Sequence, residues 1–133
     1  MKFLLDTNVY VEAAALHSTW QKFEKTIVPI LPFVYLSSVV VFELSISSKQ
    51  KTENLINAHV ASLKKVGRIV TPTNEDWCQA ASLMKGKKLR SQLCDVLLAQ
   101  CARQIGAVLF TFDVKDFNFL SKKLHFSIQR PWE

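Results

Sequence analysis

The sequence predicts a single α/β sandwich built on a mostly parallel β-sheet. Short apolar runs, which are typical of buried strands, alternate with segments of helix length. The 133 residues are 49% hydrophobic, which is enough for one core of ordinary size. No repeat, low-complexity tract or linker divides the sequence. We therefore expect one domain over residues 1–133.

The first half of the sequence predicts two strands and two helices around one ambiguous segment. "KFLL" predicts a strand that stops at Asp6, and the alanines of "VEAAAL" favour a following helix. "PFVYL" predicts a second strand, which ends at Ser37 and Ser38, and either serine can cap a helix. "VVVFELSI" stays open, because three valines favour a strand while its polar flanks permit a helix from about Val39. "TENLINAHVASLKKV" predicts an amphipathic helix.

The second half repeats the alternation of strands and helices. "RIV" predicts a short strand, and "NEDWCQAASLMKG" predicts a helix with Asn74 as its cap and Gly86 at its end. "SQLCDVLLAQCARQIG" has the same pattern, with Ser91 as a possible cap and Gly106 at its end. "AVLFT" is a continuous apolar strand of the kind that parallel sheets bury, and "FSIQ" is a candidate edge strand.

Three acids are predicted to lie near one edge of this sheet. Asp6 and Asp113 each follow a strand, and the carboxyl ends of parallel strands share the edge where open α/β sheets bind ligands. Asp95 falls in the first turn of its predicted helix. Each acid alone also has a structural explanation, because acids cap helices and are stabilised near helix N-termini.

Several carboxylates at one edge favour a divalent cation. They repel one another, and proton sharing relieves only part of that repulsion at neutral pH. Ligation by oxygen alone selects Mg²⁺ or Mn²⁺ over Zn²⁺. Such a site can activate water and neutralise a phosphodiester under attack. The three cysteines have no Cys-x-x-Cys spacing and predict neither a disulfide framework nor a zinc site.

The charge of the chain fits a nucleic-acid partner without requiring one. Lys and Arg number 17 against 11 Asp and Glu, a formal net charge of +6. "MKGKKLR" places four cations directly before the helix of Asp95, where they are candidates for substrate binding; they are Lys85, Lys87, Lys88 and Arg90. A solvated charge run explains them equally well.

The sequence shows neither a signal peptide nor a membrane span. No stretch reaches the roughly 18 apolar residues that a spanning helix needs. Asp6 and Glu12 interrupt the apolar start where a signal peptide would be uncharged. We expect a cytoplasmic protein.

The order of these motifs resembles one family. "LLDTN", then "SSVVVFEL", then "CDVLLAQCARQIGAVLFTFDVKDF" together resemble the PIN-domain ribonucleases, especially the VapC-type toxins of toxin–antitoxin modules. The resemblance runs over essentially the whole chain, although no single motif is specific. It implies a three-layer α/β/α sandwich and puts Glu43 on a helix after the second strand, directed at the acids.

The resemblance also implies a set of site residues. The acidic cluster of the family falls on Asp6, Glu43, Asp95 and an acid of "TFDVKDF". For that fourth acid we expect Asp113 as the closer metal contact and Asp116 as the second. Asn8 and Thr111 match polar positions that would support the carboxylates. These are expectations from the family pattern.

The function that the resemblance implies is metal-dependent hydrolysis of RNA. It implies Mg²⁺ or Mn²⁺ as cofactor, a cognate antitoxin as partner, and a homodimer. A non-catalytic PIN-fold module that binds RNA or acts as a scaffold is the alternative. A receiver domain or an aspartyl-phosphate phosphatase is disfavoured, since "LLDTN" has one acid where these need an acidic pair or Asp-x-Asp.

Overall fold

The structure is a computed structural model that describes residues 1–46, 50–86 and 92–133. In this part of the chain five strands form one sheet with the order β3-β2-β1-β4-β5, and every pair of neighbours is parallel. The strands are β1 (Lys2–Leu5), β2 (Val34–Ser37), β3 (Ile69–Val70), β4 (Ala107–Phe110) and β5 (Ser127–Gln129). The predicted α/β class with a parallel sheet is confirmed, including the edge position of β5.

Seven α-helices and one 3-10 helix are described between the strands. They are α1 (Thr7–Ala15), α2 (His17–Thr26), the 3-10 helix Val28–Phe33, α3 (Ser38–Ile46), α4 (Gln50–Lys65), α5 (Asn74–Met84), α6 (Leu93–Ile105) and α7 (Val114–Leu124). The helix predicted from "VEAAAL" is two helices, because the backbone of Leu16 is extended (φ −138°, ψ 155°). No described helix combines the length and hydropathy that crossing a bilayer requires.

The strand order explains the three layers. The chain proceeds from β1 outward through β2 to β3, then returns to the other side of β1 for β4 and β5. Because crossovers between parallel strands are right-handed, helices that connect strands in opposite directions cover opposite faces of the sheet. Accordingly α1 packs with α2 and α4, whereas α6 packs with α5 and α7.

The ambiguous valine segment is helix α3. The backbone N–H of Val39 donates to Oγ of Ser37 at 3.1 Å, so Ser37 is the cap of the two serines that the sequence offered. Val39, Val40 and Leu44 are buried in the core. Burial on a packed helix face therefore outweighs the strand propensity of the three valines.

Helix α5 begins differently from the prediction. Its cap is Thr73 and not Asn74, since Oγ1 of Thr73 accepts from the N–H of Asp76 at 3.1 Å. The carboxylate of Asp76 accepts in return from the N–H of Thr73 at 2.9 Å, which makes a capping box. The possible cap Ser91 lies outside the described residues, and Gln92 holds the cap position of α6.

Two features of the second half were not predicted. Helix α7 follows β4, and its Phe117, Leu120 and Leu124 are buried. Helix α6 buries every residue from 96 to 102, so it is a central core helix. Its end at Gly106, where φ is +64°, agrees with the prediction.

Candidate active site

The predicted acids gather where the strand order reverses, between β1 and β4. Asp6 follows β1, and its backbone N–H donates to the carbonyl of Phe110 at the end of β4 (2.9 Å). This crevice beyond the carboxyl ends of the strands is the usual ligand position in doubly wound sheets. The register of β1 and β4 therefore fixes Asp6 close to the residues that follow Phe110.

Asp6 is a buried carboxyl that the surrounding chain holds on both oxygens. It is 5% exposed. Oδ1 accepts from the N–H of Thr7 at 2.7 Å, and Oδ2 accepts from the hydroxyl of Thr111 at 2.9 Å. Burial raises the pKa of Asp6 to about 7; these two hydrogen bonds oppose the rise, and the charges of Asp95 and Glu43 add to it.

Glu43 contributes a carboxylate to this site from helix α3. It lies in the middle of α3, is half-buried, and accepts on Oε1 from the hydroxyl of Thr7 at 2.7 Å. Its charge raises the pKa of both Asp6 and Asp95. The structure thus places Glu43 on a helix beside the other acids, as the family resemblance implied.

Asp95 interacts electrostatically with Glu43 and also with the two acids that follow β4, Asp113 and Asp116. It lies in the first turn of α6, and its Oδ2 accepts from the N–H of Gln92 at 3.3 Å. Burial raises its pKa, and the charges of Glu43, Asp113 and Asp116 raise it further, against the hydrogen bond from Gln92. Asp95 therefore lies within electrostatic reach of the other acids on both sides.

A small hydrogen-bond network positions Asp113. The side-chain amide of Asn8 donates to Oδ2 of Asp113 at 3.1 Å, and Oδ1 of Asn8 accepts from the N–H of Phe112 at 3.3 Å. Oγ1 of Thr111 accepts from the N–H of Asp113 at 3.0 Å while its hydroxyl donates to Asp6. Asn8 and Thr111 thus contact the carboxylates that they were expected to support. Asp113 is exposed and Asp116 half-buried.

We call these five acids the carboxylate cluster; they are Asp6, Glu43, Asp95, Asp113 and Asp116. Their oxygens are the donors that Mg²⁺ and Mn²⁺ prefer. Burial is the main cause of the raised pKa values of Asp6 and Asp95, and repulsion from neighbouring acids adds to it. The donor set therefore fits a divalent cation. As they stand, no three His, Cys, Asp or Glu side chains among the described residues are arranged closely enough to hold a metal ion.

A family model named PIN domain matches residues 3–122, which include all five acids. The chain belongs to the PIN domain family. PIN-domain nucleases hydrolyse nucleic acids and generally use divalent metals. No curated protein matches the chain at a significant level.

Solved structures share the PIN fold over nearly the whole chain. FitAcB from Neisseria gonorrhoeae has a TM-score of 0.68 at 24% identity, covering 98% of this chain and 99% of that one. VapBC2 from Rickettsia felis, bound to a DNA fragment from its promoter, has a TM-score of 0.70 at 21% identity, covering 100% of both chains. VapBC-1 from nontypeable Haemophilus influenzae has a TM-score of 0.67 at 18% identity, covering 98% of both chains. At these identities the likeness shows a common fold.

The predicted basic segment is only partly described in this PIN domain. Lys85 is exposed at the C-terminal cap of α5. The other three cations of the segment, Lys87, Lys88 and Arg90, lie outside the described residues. Their part in substrate binding stays a prediction.

A cavity beside the carboxylate cluster was not predicted from the sequence. It has a volume of about 360 Å³, and Asn8 and Asp113 form part of its wall. Lys22, Arg130 and Trp132 form another part. The available signal was the segment "QRPW", which combines a cation and a large aromatic residue after the last strand.

A second buried acid, Asp76, differs from the cluster in its environment. It is 1% exposed and pairs with Arg103 at 3.0 Å. Burial alone would raise its pKa, but hydrogen bonds from Thr73, Gln104 and Arg103 outweigh burial and lower it. Asp76 is thus a compensated structural acid, in contrast to Asp6.

Proposed function

We propose that this PIN domain is a metal-dependent endoribonuclease and the toxin of a type II toxin–antitoxin system. One observation carries the proposal: buried and half-buried carboxylates converge where the strand order reverses, and burial together with mutual repulsion raises the pKa of Asp6 and Asp95. Groups with pKa values displaced in this way are typical of functional sites. A cluster of this kind costs stability unless a cation compensates it.

Asp6, Asp95, Asp113 and Asp116 would hold Mg²⁺ or Mn²⁺. When bound, such an ion lowers the pKa of an attacking water and neutralises charge that develops on the phosphodiester. The chain itself contributes position. Thr111 and the N–H of Thr7 fix both oxygens of Asp6, so its carboxylate needs little rearrangement on binding.

In this proposal Glu43 would complete the ligand shell of the metal or orient the attacking water. Its Oε1 is held by the hydroxyl of Thr7, the residue next to Asp6. That contact fixes the carboxylate of Glu43 relative to Asp6. A proton acceptor held beside the water at a fixed distance is what general-base catalysis requires.

A nucleic acid is the proposed substrate because its phosphates complement the charge of the chain, and RNA is chosen because the chain resembles the PIN-domain ribonucleases. The net charge is +6 although the site itself is acidic. Cations outside the site, among them Lys85, would hold the backbone, while the metal overcomes the repulsion between phosphate and carboxylates.

A cognate antitoxin and a second copy of the chain are the proposed protein partners. The likeness to the FitAcB and VapBC structures supports an antitoxin. Apolar side chains are also available for contact, since Phe42 is 56% and Ile46 is 69% exposed one turn apart on α3. Light scattering after size-exclusion chromatography tests the homodimer, and a monomer mass at every concentration contradicts it.

Cleavage of a labelled structured RNA tests the enzyme activity. We expect cutting by the wild-type protein with Mn²⁺, none with chelator, and none by Asp95→Asn. Glu75→Gln is the matched control, because Glu75 is also a first-turn helix acid but is hydrogen-bonded to Gln79 outside the cluster. The proposal is contradicted if Asp95→Asn and Glu75→Gln cut equally well, or if the wild-type protein does not cut with Mn²⁺.

A further inference from the structure

We propose that the cavity beside Asp113 binds one nucleotide of the RNA substrate, next to the phosphodiester that is cut. This inference rests on the proposed ribonuclease function and specifies where the substrate lies. We call the cavity the nucleotide cavity; Lys22, Phe112, Asp113, Arg130 and Trp132 line it together with Asn8.

The position and size of the nucleotide cavity fit a group attached to the scissile phosphate. Its volume of about 360 Å³ lies in the range of roughly 300–1,000 Å³ that small-ligand sites occupy. It shares Asp113 with the carboxylate cluster, and Asn8 joins the two through its 3.1 Å hydrogen bond to that acid. A nucleotide in the cavity is therefore continuous with a phosphate at the cluster.

The cavity has an aromatic wall suited to a base. The rings of Phe112 and Trp132 meet edge to face with centroids 5.2 Å apart, and both side chains are half-buried. Trp132 also packs edge-on against Phe23, which anchors it. Single-stranded RNA is bound largely by stacking of its bases on such rings and on Arg guanidinium planes.

Two cations complete the cavity. The guanidinium of Arg130 lies 5.0 Å from the ring centroid of Phe112, and its Nε donates to the carbonyl of Trp132 at 3.1 Å. These contacts hold its plane beside the aromatic wall. Lys22 comes from α2, and its Nζ donates to the carbonyl of Glu133 at 3.1 Å. Both side chains are exposed and can reach a phosphate oxygen.

The remaining acids in the wall favour a nucleotide over a free phosphate. Glu12 and Glu133 line the cavity together with Asp113. Carboxylates repel a bare phosphate, but they accept hydrogen bonds from ribose hydroxyls and from the amino groups of bases. A ligand with one anionic part and one part rich in neutral donors matches this lining.

Binding of a short fluorescent RNA in the presence of chelator tests the cavity without cleavage. We expect Arg130→Gln and Lys22→Gln each to weaken binding about fivefold. Each is also expected to reduce the slope of log affinity against log salt by about 0.7 for every phosphate that it no longer neutralises. The matched control is Lys123→Gln, which removes the same charge at a separate cavity lined by Gln79 and Leu83. The inference is overturned if Arg130→Gln and Lys22→Gln both bind the RNA with the same affinity as Lys123→Gln.

Photocrosslinking of the wild-type protein provides a second readout that needs no variant to fold. RNA carrying 4-thiouridine is expected to crosslink at residues that line the cavity, such as Lys22, Phe112 or Trp132, whereas crosslinks confined to residues outside its lining overturn the inference. Cleavage of the same RNA with Mn²⁺ is measured in parallel. Absence of cleavage contradicts the proposed function, whereas cleavage with unchanged affinity of the two variants contradicts only the nucleotide cavity.

Discussion

The hydroxyl of Thr111 donates a 2.9 Å hydrogen bond to Oδ2 of Asp6, which joins residues 105 positions apart in the chain. Thr111 is fully buried and follows β4, and Asp6 follows β1. The parallel register of these central strands, in which Leu5 is paired with Phe110, brings the two side chains together. The topology of the sheet thus fixes the orientation of the most buried acid in the site.

Replacing Thr111 with Val tests this relationship with little change in volume. The hydrogen bond lowers the pKa of Asp6, so its loss raises that pKa further. At pH 7 a larger fraction of Asp6 is then protonated, and a metal ion must displace this proton before it can bind. We expect activity to fall about 10- to 100-fold, as for other residues that orient metal ligands. Cleavage rates against Mn²⁺ concentration measure the effect, and the loss is expected to be smaller at pH 8.5.

Thr26→Val is the control for that substitution. Thr26 is the last residue of α2 and is half-buried. The substitution Thr26→Val likewise replaces a hydroxyl with a methyl group, but at a residue outside the carboxylate cluster. Equal losses in both variants would show that Thr111 contributes only to packing.

Asp6→Asn is expected to stabilise the metal-free protein at neutral pH. Because the pKa of Asp6 is about 7 when folded against an ordinary 3.8, the folded state holds the proton more tightly than the unfolded state. The free energy of unfolding therefore falls as the pH rises from about 4 to about 7, by at most about 4 kcal/mol. Asn avoids this loss. Denaturant melts with chelator at pH 4.5 and 8 measure the difference, which should grow with pH.

Asp76→Asn is expected to behave in the opposite way. The pKa of Asp76 is lowered, so its charge contributes stability that is present above about pH 4 and is lost as the pH falls further. Its removal leaves Arg103 and the N–H of Thr73 without a charged partner, at a cost of about 1–3 kcal/mol near neutral pH. Stabilisation by both substitutions would contradict the distinction between cluster acids and structural acids.

Asp113 and Asp116 are expected to differ in their importance for cleavage. Asp113 is linked to Asp6 through Thr111, whose Oγ1 accepts from the N–H of Asp113 and whose hydroxyl donates to Asp6, and Asn8 holds its Oδ2. Orientation by a neighbour is typical of metal ligands. We expect Asp113→Asn to lower kcat/KM about 100-fold or more and Asp116→Asn to lower it less. The reverse order in steady-state assays would make Asp116 the principal fourth acid.

Local sequence signals predicted most strands and helix ends, because these depend on neighbouring residues. Ser37 and Gly106 are examples, since a cap and a positive φ have local causes. Asn74 was the wrong cap because Thr73 forms a reciprocal box with Asp76, a choice between adjacent residues that propensity does not resolve. Helix α7 was missed although Phe117, Leu120 and Leu124 have the helical spacing of an amphipathic helix, so its prediction was within reach of the local pattern.

The candidate site was predictable only in part from local patterns. Asp6 and Asp113 follow strands, so parallel topology alone brings them to one edge. Glu43 lies on a helix whose valines favour a strand, and only the resemblance to a family placed it beside the other acids. The nucleotide cavity joins α1, α2 and the last residues of the chain, so the segment "QRPW" could indicate part of its wall but not the cavity itself.

Calorimetric titration with Mn²⁺ at pH 7 determines whether the carboxylate cluster is a metal site. We expect saturable binding by the wild-type protein and by Glu75→Gln, and none by Asp6→Asn or Asp95→Asn. Because the pKa of Asp6 is about 7, binding should also release a fraction of a proton at pH 7 and less at pH 8.5, which buffers of different ionisation enthalpy reveal. Identical heats from all four proteins would show that these carboxylates bind no metal.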